Sequence, residues 1–98
     1  MTETILRIIS QHTIDNPIKS FEIELITGLT GAEIRCILHE LRLSKHPIGS
    51  TADGYFMAIN KAELEHTIAQ LMSRATKIIA VAKALEECFA SQEQLVLL

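Results

Sequence analysis

The chain has 98 residues, 48% of them apolar, only four aromatics (Phe21, Tyr55, Phe56, Phe89) and a formal net charge of −3, so a small aliphatic helical domain is expected. That length lies near the lower limit of a self-sufficient core, which makes help from oligomerisation plausible. No apolar run reaches the roughly 18 to 20 residues a membrane helix needs, and Cys36 and Cys88 form no CxxC pair and follow no apolar signal segment. These features point to a reducing, cytoplasmic setting with free thiols.

Residues 4–11 place Ile5, Leu6, Ile8 and Ile9 on one broad helical face, with Arg7 and Gln11 away from it, which predicts a first helix packed on the core. His12-Thr13 ends it, Asp15-Asn16-Pro17 is turn chemistry, and Ile18 enters a short extended segment before Ser20 caps a second helix over residues 21–26. There Ile23 and Ile26, with Leu29 just beyond, are expected to anchor inward while Glu22 and Glu24 face solvent.

The step Thr27-Gly28-Leu29-Thr30-Gly31-Ala32-Glu33 then ends one helix and starts the next within a few residues. Gly28 can take the positive φ that closes a helix, and Thr30 with Glu33 forms a capping box. This predicts a helix-turn-helix corner with residues 34–43 as the recognition helix. Ile34, Ile37, Leu38 and Leu41 form its core face. Ala32, Cys36, His39 and Leu43 lie opposite, flanked by Arg35 and Arg42 on one side and by Glu33 and Glu40 on the other.

Pro47-Ile48-Gly49-Ser50 and Tyr55-Phe56-Met57-Ala58 read as strands joined across Thr51-Ala52-Asp53-Gly54, with Asp-Gly as the hairpin signal. Pro47 suits a first or edge position, where its missing N–H matters little. Asn60 and Glu63 are a second box-like cap, opening the longest element. Leu64, Ile68, Leu71, Ala75, Ile78, Ala82, Leu85 and Phe89 follow at alternating steps of four and three. Such an unbroken heptad seam requires another helix along its length, most simply its copy in a second chain. Met72, Ile79 and Val81 widen the stripe, so more than a two-stranded seam can be buried. Parallel and antiparallel pairings both remain open. Ser91-Gln92-Glu93-Gln94 breaks the pattern, and Leu95-Val96-Leu97-Leu98 is an apolar tail that docks or frays. The expected organisation is a mainly α winged helix-turn-helix domain, three helices plus a β-hairpin wing, over residues 1–59. A dimerisation helix over 60–90 and a tail over 91–98 complete it.

From Thr27-Gly28-Leu29-Thr30-Gly31-Ala32-Glu33-Ile34-Arg35 through Leu41-Arg42, His46-Pro47-Ile48 and Gly54-Tyr55, the chain resembles small winged helix-turn-helix proteins of phages and prophages. More loosely it is similar to the DNA-binding domain of biotin-ligase repressors. The resemblance extends over about residues 4–89, including Glu63-Leu64 and Arg74. It implies DNA-facing roles for Thr30, Ala32, Arg35, Cys36 and His39 of the helix and for Ser50 and Thr51 of the wing. One departure is Asp53, standing where such proteins often carry a basic residue before Gly-Tyr.

Arg42 and Lys45 complete the candidate DNA-contact set. Arginines can reach guanine edges or phosphates, His39 can donate to either, and small Ala32 and Cys36 let a helix backbone sit close in the major groove. Charge limits this role. Residues 1–60 hold five basic residues against seven acidic and residues 61–98 four against five, so neither part is a basic module and one copy should bind weakly. The expected function is a homodimeric, sequence-specific double-stranded DNA-binding protein in transcription or replication control. The rival is a winged-helix module that binds protein instead, an adaptor or inhibitor of a host protein. It would use the small apolar surface of Ala32, Cys36 and Leu43. Cys36 and His39 at i, i+3, with His46 nearby, fall short of a zinc signature, so no metal or cofactor is expected. His12 looks like a helix-end residue, His66 solvent-facing, and Cys88 a buried or interfacial thiol. No Gly-rich phosphate loop or Ser/His/Asp context supports catalysis.

Overall fold

A computed structural model describes residues 1–90 of the chain, and the tail over 91–98 lies outside the described residues. The chain is mainly helical, with one small antiparallel sheet and a long C-terminal helix. Helices α1 (Thr2–Ser10), α2 (Ser20–Thr27) and α3 (Gly31–Leu43) precede strands β1 (Ile48–Thr51) and β2 (Gly54–Met57). A 3₁₀ turn (Lys61–Leu64) then leads into α4 (Glu65–Glu87). This order is compatible with a helix-turn-helix followed by a hairpin wing. Met1–Thr67 forms one compact unit and a second begins at Ile68.

In the first unit the period-3.6 faces converge. Ile5 and Ile9 of α1, Ile23 of α2, Ile34, Leu38 and Leu41 of α3, and Ile18 and Ile48 make one core cluster, with Leu6, Ile8, Leu29, Ile37, Tyr55 and Met57 packed against it. Helix α3 lies at its centre, touching α1, α2 and β1.

Helix α2 departs from expectation in three ways. Its N-cap is Lys19, with no side-chain cap bond, and Ser20 is already the first helical residue. Ile26 is 63% exposed rather than inward, while Glu24 is half-buried rather than solvent-facing. The reason is the face that the helix presents. Ser20, Ile23, Glu24 and Thr27 turn inward at helical spacing, and the Thr27 hydroxyl donates to the Ile23 carbonyl at 2.7 Å, so Phe21, Leu25 and Ile26 fall outside.

In the hairpin, Ile48 pairs with Met57, Gly49 with Phe56, Ser50 with Tyr55 and Thr51 with Gly54. The two turn residues are therefore Ala52 and Asp53, and the Asp-Gly pair is not the centre of the turn. Gly54 instead ends the turn at φ +135°, where a Cβ would stand 2.2 Å from the Ile18 carbonyl oxygen. That closeness lets Ile18 exchange two backbone hydrogen bonds with Tyr55, each 2.8 Å, and the segment after α1 lies along β2. Across the sheet, a Cβ on Gly49 would meet the buried Phe56 ring at 2.3 Å, so the ring covers the glycine.

The cap at Asn60 is half as expected. The Asn60 side chain accepts from the Glu63 N–H at 3.0 Å, but the Glu63 carboxylate accepts from Ile59 rather than from Asn60, and the first turn is 3₁₀. At the other end α4 stops at Glu87, which leaves Phe89 in a turn beyond the helix.

Candidate nucleic-acid interface

The corner between α2 and α3 is built as its residues dictate. Gly28 adopts φ 76°, ψ 3° and its N–H donates to the Glu24 carbonyl at 2.8 Å, closing α2 in the left-handed conformation. Leu29 N–H is taken up by the Thr27 hydroxyl at 3.2 Å. Two residues on, Thr30 caps α3. Its hydroxyl accepts from the Glu33 N–H at 3.2 Å while the Glu33 carboxylate accepts from the Thr30 N–H at 3.4 Å and its hydroxyl at 3.1 Å. The start of α3 is thereby fixed, with the small residues Gly31 and Ala32 at its tip.

The face of α3 away from the core carries Ala32, Arg35, Cys36 and His39, all exposed. These four are brought together by helical spacing. Arg35 lies over Gly31: a Cβ built there would be 3.3 Å from an Arg35 guanidinium nitrogen and 3.5 Å from a Glu24 carboxylate oxygen. The absence of a side chain at Gly31 leaves that guanidinium room beside an acid on α2. Arg42 differs, being half-buried, with its Nε donating to the Ile48 carbonyl at 2.9 Å, so it braces β1 against α3.

The end of α3 carries a feature with no sequence signal. Lys45 N–H donates to the Arg42 carbonyl and His46 N–H to the Leu41 carbonyl, at 3.0 and 3.1 Å, which is the Schellman closure. The left-handed position in that closure usually holds glycine. Here it is Lys45, at φ 75°, the one non-glycine residue with positive φ among the described residues. A β-carbon there costs about 1–2 kcal/mol, so an exposed lysine stands at the end of α3 against the backbone preference.

On the hairpin, Ser50 and Thr51 are half-buried. The Thr51 hydroxyl accepts from Asp53 N–H at 3.0 Å, and the backbone of Ser50 is clasped by Thr67. Thr67 Oγ1 accepts from the Ser50 N–H at 3.0 Å and donates to its carbonyl at 3.2 Å. Thr67, only 4% exposed, is the buried polar residue among the described residues, and it covers the outer edge of β1. A lone threonine between Glu65-His66 and Ile68 gave no hint of this.

Along α4 the seam residues lie open in the single chain. Leu64 is half-buried, whereas Ile68, Leu71, Ala75, Ile78, Ala82 and Leu85 are exposed, as is Phe89 beyond the helix end. Cys88, expected to be buried or interfacial, is exposed here. Among the described residues no three His, Cys, Asp or Glu side chains are grouped to hold a metal ion, and no helix is long and apolar enough to cross a membrane. Comparison of the chain with protein-family models, with curated proteins and with solved structures finds no match.

Proposed function

We propose that this protein is a winged helix-turn-helix that binds double-stranded DNA through the exposed face of α3, as a homodimer held by α4. It would serve as a regulator of transcription or replication of the phage and prophage type that the sequence resembles. The observation that carries the reading is the capped corner itself. Gly28 and the Thr30–Glu33 box fix two helices in sequence and leave Ala32, Arg35, Cys36 and His39 outward, with Lys45 held at the far end of the same helix. Small residues at Ala32 and Cys36 permit close approach of the backbone to base edges, and Arg35 offers a bidentate donor. Asp53 at the hairpin turn gives the wing little electrostatic share, so α3 carries the contact. Arg35→Ala tests the assignment. A loss of about 1–3 kcal/mol in affinity for a selected duplex, or roughly 5- to 150-fold, is expected of a bidentate base contact. Unchanged affinity would remove Arg35 from the site.

One observation favours a second reading. Phe21, Leu25 and Ile26 expose an apolar surface on α2, Leu25 to 80%, as does Leu43 at the end of α3. Apolar surface of this kind suits a winged helix turned to protein binding. The two readings part on whether the protein binds duplex DNA at all.

A further inference from the structure

The long helix, read above as the dimer contact, leaves its direction of pairing open, and its side-chain sizes decide that. Ile68, Leu71, Met72, Ile78, Ile79 and Leu85 are between 42% and 65% exposed in the single chain. With Ala75 and Ala82 they present roughly 700–800 Å² of apolar surface per helix, close to the roughly 800 Å² per partner of a standard stable interface. A second copy of the same helix is long enough to cover this stripe.

Parallel, in-register pairing would set Ala75 against Ala75 and Ala82 against Ala82, two under-filled layers among layers filled by paired leucines and isoleucines. The residues flanking the seam would fit no better. Met72 would face Thr67, which is buried against Ser50, and Ile79 would face Arg74. Antiparallel pairing about a point between Thr76 and Lys77 has a different outcome. Ala75 meets Ile78, Ala82 meets Leu71 and Ile68 meets Leu85, so small opposes large in the layers containing alanine. Met72 and Ile79 meet each other along one edge, while Glu65 meets Glu86 at each end of it, a like-charge pair that both residues' exposure leaves to solvent and salt to screen. We infer that α4 pairs with α4 of a second copy in antiparallel register, each alanine of the seam receiving a large side chain from the partner.

Disulfide trapping in the full chain distinguishes the arrangements. Two variants, I68C and L85C, both with Cys36→Ser and Cys88→Ser and one carrying a size tag, are mixed and oxidised mildly with oxidised glutathione. Antiparallel pairing produces the mixed cross-link between positions 68 and 85 and none within either variant alone, since like positions at each end lie about 20–26 Å apart along the axis. Cross-linking of each variant to itself, without the mixed product, overturns the antiparallel register while leaving a dimer. A protein monomeric by light scattering at micromolar concentration overturns the register together with the dimer on which it rests. Absence of any cross-link in a protein that scatters as a dimer also overturns it. DNA binding is measured separately, on the chain with its own cysteines, so that loss of the register and loss of the DNA reading are told apart.

Discussion

At the scale of single residues, Lys45 is the position where local backbone preference and side-chain chemistry conflict most openly. Glycine at the same place would relieve the left-handed strain, and the ammonium offsets some of it through the carbonyl end of α3. Lys45→Gly is therefore expected to stabilise the fold by about 0.5–1 kcal/mol net, read as a higher urea midpoint. Under the proposed function the same change should weaken DNA binding, by removing a positive charge available to a phosphate. A lower midpoint would contradict the strain assignment, and an unaltered affinity would leave the lysine without a role at the interface. Nothing in the sequence foretold this strain, because a lysine after a helix reads as ordinary dipole complementation. By contrast Gly28 and the Thr30–Glu33 box were legible, since each rests on interactions within six residues of chain.

At the scale of elements, what was legible follows the same rule. The core face of α3, with Ile34, Leu38 and Leu41 buried, and the open face opposite it follow from helical period alone. The face of α2 did not, because an eight-residue helix gives too few turns for the period to choose between Ile26 and Thr27, and tertiary packing chose Thr27. The hairpin was legible in its strands but not in what secures it. The Thr67 clasp on Ser50 joins residues 17 apart in sequence and depends on where the chain re-enters the fold after the 3₁₀ turn. Thr67→Val preserves shape and removes both hydrogen bonds, leaving the Ser50 N–H and carbonyl without their partner. A loss of about 1–2 kcal/mol in unfolding free energy is expected from urea denaturation. An unchanged midpoint would mean that the clasp contributes nothing.

At the scale of the whole molecule, charge and size set the terms. Under the proposed function, a net charge of −3 would make one copy a weak DNA binder, and the exposed apolar stripe of α4 would supply the means of bringing a second alongside. Replacing Leu71 and Ile78 together by Asp should convert the dimer to monomer in light scattering, by placing four carboxylates in the seam, and should leave the Met1–Thr67 unit folded by circular dichroism. A dimer that survives the double change would refute the seam. A dimer also makes two half-sites one or more helical turns apart the natural target.

The most direct measurement is fluorescence anisotropy of a labelled mixed-sequence duplex titrated with the full chain at low and at moderate salt. Binding at low salt is expected to weaken roughly 10²- to 10³-fold between about 50 and 200 mM, as about four to six phosphate contacts per dimer would require. No binding, or binding indifferent to salt, would contradict recognition of DNA by α3.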